Sequence, residues 1–421
     1  MELATTLVKG CDRADTLGDL RPTPLIEIEV GLLTGGSDKP YAFGLAMALI
    51  SEGVTLDVIG SDEIDSPEMH TFPALRFLNL RGNQRPDAGL GRKISRVLVY
   101  YARLIRYVAL ARPKILHILW NNKFLYFDRT LLMLYYRMAG KKIVFTAHNV
   151  NAAKRDGSDS ILNRLSLRVQ YQLAGHIFVH TEQMKRELQN DFRVDEGAIT
   201  VIPFGINNSV PHTDLTAAQA KQRLGITNTE KAILFFGRIG PYKGLDILVA
   251  AFQRIARTNP TYRLIIVGQP KKGAETYWAD INQVLNLGPG CGQVIQKIEF
   301  IPDEDTELYF KAGDVLVLPY TQIFQSGVLF LGYSFGLPVI AADVGSFRED
   351  IVEGRTGFLC RSCDPMDLAN TIEMYFESDL FKNLSRRRRE IQSYAYARHS
   401  WDVVGEMTRS VYAGLLKEQS F

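Results

Sequence analysis

Short apolar runs rich in β-branched residues alternate along the chain with longer stretches of helical period. This is the pattern of parallel sheets covered by helices. In the first half the strand-like runs are Leu25–Leu33, Val54–Ile59, Leu75–Leu80, Ile115–Trp120, Ile143–Ala147, Ile177–His180 and Thr200–Ile202. Between them the period predicts helices at Pro40–Glu52, Arg92–Ala111, Arg129–Met138, Ile161–Leu173 and Glu182–Asp191. The stretch Pro203–Ala218 is polar, proline-broken and without period, and reads as a linker. A second series follows, with strands expected at Ala232–Phe236, Leu264–Val267, Val315–Leu318, Val339–Ala341 and Gly357–Leu359. The expected fold class is α/β, with two Rossmann-like, doubly wound domains facing across a cleft. In such sheets ligands bind where the carboxyl ends of the strands open into a crevice.

Composition narrows the classes. A chain of 421 residues exceeds one ordinary core, which agrees with two domains. Hydrophobic residues at 46% and charged residues at 23% match a globular protein in water. A net charge of +3 is too small for nucleic acid binding driven by overall charge. Cys11, Cys291, Cys360 and Cys363 lack the spacing of a disulfide framework, which points to a reducing compartment. Cys360 and Cys363 offer half of a zinc ligand set, with no second pair nearby. The first residues carry no basic head followed by an apolar stretch, so the expected location is cytoplasmic. The uncharged run Val315–Ala342 is broken by Pro319, Gln322, Gly327, Gly336 and Pro338, and reads as strand, loop, helix and strand rather than a membrane span.

Four places carry candidate chemistry. In Phe236-Gly237-Arg238-Ile239-Gly240-Pro241-Tyr242-Lys243-Gly244 a buried strand ends on glycine, two cations follow five residues apart, and a helix begins. A guanidinium fork, an ammonium and the amides of a helix start suit a diphosphate; a plain turn with two solvated cations is the alternative. In Gln325-Ser326-Gly327-Val328 a glycine opens a helix whose free amides can meet phosphate, with Ser326 as N-cap. The turn around Gly35 and Gly36 follows the first strand and reads as a cleft-facing loop, although a dinucleotide-binding spacing is not met. His148, after Thr146-Ala147, follows a parallel strand and is expected to hydrogen-bond a ligand in the crevice. His117 and His180 are read as packing.

Gly237-Arg238, Lys243-Gly244, Leu264–Gly268, Asp314–Pro319, Gly336–Ala341, Gly345–Glu349 and Gly357-Phe358 come in the order of a family 4 glycosyltransferase donor domain. The amino-terminal half also resembles that family, through its glycine turn, Thr146–His148 and Val201-Ile202-Pro203-Phe204-Gly205. The resemblance covers nearly the whole chain and implies the GT-B fold. It places an acceptor domain at residues 1–205, a nucleotide-sugar donor domain at 206–399, and a final helix at 400–421 packed back on the first. It also implies that Arg238 and Lys243 hold the donor diphosphate, that Gly237 and Gln325–Val328 bind the donor, and that the reaction is retaining and needs no metal or other cofactor. Polysaccharide or glycolipid assembly is the implied setting.

The sequence departs from the family at one point. The family commonly carries two glutamates eight positions apart around the Gln325–Gly327 helix. Aligned from Gly336 these positions are Ile323 and Leu331; aligned from Gly327 they are Phe324 and Gly332. Neither alignment supplies a carboxylate. A non-catalytic nucleotide-sugar-binding homologue and a sugar-nucleotide epimerase therefore stand as alternatives to the transferase. The helix within Arg92–Arg112 carries six Lys or Arg, no acidic residue, and interleaved apolar side chains. It reads either as a peripheral contact with the inner face of an anionic membrane or as an ordinary solvated outer helix. The basic run Arg386–Arg389 reads as a solvated face.

Overall fold

The computed structural model describes residues 27–35, 38–84, 89–155, 157–206 and 210–417. Strands β1 (Glu29–Leu33), β2 (Thr55–Gly60), β3 (Leu75–Asn79), β4 (Ile115–Ile118), β5 (Lys142–Thr146), β6 (His176–Val179) and β7 (Ile199–Val201) form one sheet in the order β3-β2-β1-β4-β5-β6-β7. Strands β8 (Lys231–Phe236), β9 (Tyr262–Val267), β10 (Val294–Lys297), β11 (Val315–Leu318), β12 (Val339–Ala342) and β13 (Gly357–Cys360) form a second, β10-β9-β8-β11-β12-β13. Every pairing is parallel. The strand order reverses between β1 and β4 and again between β8 and β11, which opens a crevice at each point.

The central strands β4, β11 and β12 are buried along their whole length, because helices cover both faces of each sheet. That is why they read as continuous apolar runs. The sequence reading passes over β10, a four-residue edge strand whose Gln296 and Lys297 face solvent. The first residues of the run expected from Leu25 lie outside the described residues. The stretch expected as linker ends earlier than Ala218. Thr216 and Gln219 form a reciprocal capping box that starts a helix at Ala217.

The last helix, Trp401–Lys417, lies against the helix Lys39–Ser51 of the first domain. Val404, Tyr412 and Leu415 join the core under the first sheet. Trp401 fills a slot that only glycine permits: a Cβ on Gly44 would lie 2.1 Å from its ring, and one on Gly205 2.5 Å. The indole Nε1–H donates to the Ile206 carbonyl at 2.8 Å. His117, the polar residue inside β4, is fully buried and bridges Tyr412 Oη at 2.5 Å and Thr146 Oγ1 at 2.7 Å. Burial pulls its imidazole down to about 3, so it is a neutral strut between the final helix and β5.

One surface expectation fails. Within Arg386–Arg389, Arg388 turns inward, and its guanidinium donates to the carbonyls of Phe310, Gly313 and Phe335. Those carbonyls lie at the ends of the helices Asp303–Ala312 and Gly327–Ser334, where helix geometry leaves acceptors unpaired.

Candidate active site between the two sheets

The motifs of the second domain converge at the β8–β11 crevice. Gly237 ends β8 with φ +112°, and a Cβ placed on it would lie 3.8 Å from Lys243 Nζ and 3.5 Å from Val328. Lys243 closes the short turn Pro241–Lys243 and is buried, its Nζ donating to Tyr320 Oη at 2.5 Å and lying 4.2 Å from the Tyr320 ring centre. The next residue, Gly244, has φ +63°, and a Cβ there would come within 2.0 Å of the Pro319 carbonyl. The strand-to-helix turn therefore closes onto the end of β11 only with glycine at this position. Arg238 is exposed, outside the cavity lining described next, and makes no ion pair among the described residues.

A cavity of about 360 Å³ lies between the domains. The second domain contributes Lys243, Gln325, Ser326, Gly327 and Val328; the first contributes Asp38, Tyr41, Phe204 and Gly205, and Trp401 reaches in from the final helix. Ser326 sits at the N-cap position of the helix Gly327–Ser334, yet its side chain makes no capping bond and lies 3.5 Å from Tyr320 Oη. The two candidate glutamate alignments separate here. Ile323 and Leu331 line the cavity, whereas Phe324 packs into the first domain and Gly332 faces Leu316 under the sheet. The alignment from Gly336 thus places two apolar side chains on the cavity wall.

A carboxylate does stand behind that wall. Asp350 is buried, its Oδ2 accepting from Ser346 Oγ at 2.6 Å. Burial pushes its carboxyl up to about 7, against hydrogen bonds from Ser346 and Gln325. The other end of the Gln325 amide, Oε1, is buried without a hydrogen-bond partner among the described residues.

The β1–β4 crevice of the first domain is built from rings rather than cations. Gly35 (φ +64°) lies so close to Trp120 that a Cβ would meet Trp120 Cβ at 2.5 Å. Gly36 lies outside the described residues. His148 stacks on Trp120 at 4.3 Å with an interplanar angle of 3°, and Tyr41 meets His148 edge-on at 4.6 Å. His180, expected only to pack, orients His148. Its Nδ1 faces the Ile202 carbonyl at 3.2 Å, so that nitrogen carries the proton. Its Nε2 is then an acceptor, and it lies 3.2 Å from His148 Nδ1, which must donate. His148 Nε2 is left as a bare lone pair, buried and without a partner among the described residues. Burial and the neighbouring His180 hold the His148 imidazole well below its ordinary range, so it stays neutral.

The structure thus brings Gly237, Lys243, Gln325, Ser326, Gly327 and Val328 into one place, with Arg238 beside it and His148 across the cleft behind Tyr41. Sequence reasoning missed Tyr41, Phe204, Trp401, Tyr320 and Asp350. Trp401 stood out only as the start of a helix, and nothing local distinguishes Asp350 from other surface-coded acids.

No helix of the described residues is long and apolar enough to cross a membrane. Nor do the described residues contain a cluster of three His, Cys, Asp or Glu able to hold a metal ion.

The family model described as Glycosyltransferase Family 4 matches residues 40–210, and that described as Glycosyl transferases group 1 matches residues 230–378. Among curated proteins the chain is 26% identical over 286 residues to D-inositol 3-phosphate glycosyltransferase of Corynebacterium efficiens, covering 64% of this chain and 65% of the relative. The protein of the same name from Corynebacterium diphtheriae is 26% identical over 285 residues, with 64% of each chain covered. The match spans just under two thirds of the length of these relatives. Among solved structures, sucrose-phosphate synthase from Thermosynechococcus elongatus superposes with a TM-score of 0.74 at 19% identity, covering 93% of this chain and all of that one (100%). HepE from Anabaena, solved with UDP and glucose, gives 0.70 at 18% identity over 92% of this chain and 100% of that chain. At such identities these likenesses concern the fold, a GT-B arrangement of two Rossmann-like domains.

Proposed function

The chain belongs to the group 1, family 4 glycosyltransferases, and on that premise we propose that it transfers a sugar from a nucleotide-sugar donor held in the cavity between the two sheets. The observation that carries this reading is the meeting of Gly237, Lys243 and Val328 at the mouth of the second crevice, beside the start of a helix. Departure of a nucleoside diphosphate builds negative charge on the leaving phosphate. A buried ammonium and an unengaged guanidinium stabilise that charge in the role a metal ion fills elsewhere. Lys243 and Arg238 take this role, and the amides of Gly327 and Val328 complete it. We take the reaction as retaining. With apolar side chains at Ile323 and Leu331, attack from the leaving-group face needs no carboxylate nucleophile; the departing phosphate takes the acceptor proton.

His148 Nε2 and Gln325 Oε1 are acceptors without partners among the described residues, and each suits a sugar hydroxyl once Tyr41 and the cavity wall shift to admit it. The solved neighbour HepE, in complex with UDP or UDP-glucose, makes uridine nucleotides the first donors to test. The acceptor is a glycan, a lipid-linked sugar or a small molecule; the relatives named for inositol 3-phosphate bring phosphorylated small acceptors onto that panel. A second reading, a non-catalytic nucleotide-sugar binder, draws on the apolar pair Ile323 and Leu331. An epimerase on the same fold would convert its donor without any acceptor. The discriminating experiment incubates the protein with nucleotide sugars alone. Slow nucleotide release supports the transferase, binding without release supports the binder, and an epimerised donor supports the third.

A further inference from the structure

Three of the helices that cover one face of the first sheet are packed side by side, and a fourth, Glu182–Phe192, joins the same core through Met184, Leu188 and Phe192. Tyr101, Leu104 and Val108 of Leu90–Leu110 share a core with Leu132, Met133 and Tyr136 of the helical stretch 125–138, and with Leu167 and Tyr171 of Ile161–Leu173. Tyr135 Oη donates to the Ile105 carbonyl, and Arg129 reaches Asn163 at 2.8 Å. Their inward sides are thus accounted for.

Their outward sides are not those of an ordinary solvated layer. On the first helix Ile94, Leu98, Ala102, Ile105 and Ala109 recur every three to four residues and are all exposed. Parallel to that apolar stripe runs a basic one, with Arg92, Arg96, Arg103 and Arg106 at helical spacing. The second helix exposes Leu131 (63%), Leu134 (47%) and Met138 (79%), and the third Ile161 (81%), Leu162 (59%) and Leu165 (52%). Most of the large apolar side chains exposed on the described residues lie between Ile94 and Val169, while those of the second domain are fewer and spread from Val284 to Tyr396. The one acidic residue on the three helices, Asp128, is buried and bonded to Tyr101.

We infer that this three-helix face docks on an anionic lipid bilayer, its leucines and isoleucines entering the headgroup boundary and its arginines meeting lipid phosphates. Three helices whose exposed faces are apolar and basic, with exposed acids only at the margin, on the helix Glu182–Phe192 (Glu182 and Asp191), complement such a surface. A groove of about 430 Å³ on the same face is lined by Ile161, Leu165 and Phe192 beside Arg168, while its Lys154 and Arg164 pair with Asp191 and Asp159. The orientation also suits chemistry. Each of the three helices begins after the carboxyl end of a strand, so Ile94, Phe124 and Ile161 lie toward the sheet edge that carries Gly35, Trp120 and His148. A bilayer against this face brings a lipid-linked acceptor toward that crevice. The docking stands independently of the transferase reading, and the lipid-linked acceptor rests on it.

The test is co-sedimentation of the full chain with phosphatidylcholine vesicles, with and without phosphatidylglycerol. It is run alongside the double variants Arg103→Glu/Arg106→Glu and Leu131→Ser/Met138→Ser. The expected result is pelleting that requires phosphatidylglycerol and falls about tenfold or more in both variants, each of which keeps its thermal transition. Absence of pelleting, or pelleting that neither variant changes, overturns the docking. So does a concentration-dependent dimer that both variants abolish without any vesicle binding, since the face would then join two copies of this chain. Pelleting needs no donor, so a failed donor assay beside successful pelleting would sink the transferase reading and leave the docking intact.

Discussion

The two sheets share a topology and differ in what they place at the point where strand order reverses. The second crevice carries fixed positive charge, with Lys243 held under Tyr320 and Arg238 exposed beside it. The first is lined with neutral rings: Trp120 stacked on His148, with Tyr41 edge-on to both. A charged leaving group needs the former, and a neutral sugar sliding between donor and acceptor is served by the latter. The outer surfaces differ in the opposite sense, the first domain being basic and apolar outside while the second scatters its exposed apolar residues. On the proposed reading, one fold used twice divides its chemistry between its copies.

The largest predicted effect breaks the junction that keeps the two crevices opposed. Trp401→Ala empties the slot between Gly44 and Gly205 and deletes the bond to Ile206, and should cost about 3–5 kcal/mol of stability in chemical denaturation. Loss below 1 kcal/mol would mean that the final helix does not fasten the domains together.

Removing charge from the second crevice comes next. Lys243→Ala should lower kcat/KM for donor turnover by about 10²-fold or more, with the deficit in kcat. His148→Ala sharpens the contrast: because the ring is held neutral, the activity lost should be the same at pH 6 as at pH 8. A loss confined to one side of pH 6.5 would show instead that the ring titrates at its ordinary value.

The smallest effect concerns Asp350. Above about pH 7 its carboxylate only accepts, so the Gln325 NH2 stays on Asp350 and Oε1 is left for the donor. Below that pH the protonated carboxyl competes as a donor. Donor KM should therefore fall a few-fold as pH rises through 7 in the wild type and stay flat in Asp350→Asn. The sign for stability is the reverse. A carboxyl raised by burial favours the folded state while protonated, so the wild type should lose stability relative to Asp350→Asn as pH climbs from 4 through 7. A wild-type KM that does not move across this range would separate Gln325 from Asp350.

Much of this was legible in the sequence, for reasons that can be named. Buried parallel strands are written as unbroken apolar runs, which made β4, β11 and β12 plain, while β10, short and at an edge, left no comparable trace. Lys243, Gly237 and Val328 stood out because a phosphate site is expected to combine glycine and cations within a few residues, and the structure brings the three together. Tyr41, Phe204 and Trp401 were not, because they meet only after the chain returns to the first domain at its last helix, and that convergence has no local signature. His180 escaped for a similar reason: its role lies in the tautomer it imposes on His148, and tautomers are set by neighbours in space. The fate of the glutamate positions needed the cavity wall, since both alignments were consistent with the residues alone.

The central claim is that the cavity beneath Gly237 and Lys243 holds the diphosphate of a nucleotide sugar. The most direct measurement is thermal stabilisation and slow nucleotide release across a panel of nucleotide sugars, uridine donors first, for the wild type and Arg238→Ala. Arg238 is exposed and unpaired among the described residues, so its removal should leave the melting temperature without ligand unchanged. The account predicts that one donor stabilises the wild type and is slowly cleaved, and that both responses collapse in Arg238→Ala. Stabilisation and cleavage that persist undiminished in the variant, or no response to any donor, would contradict it.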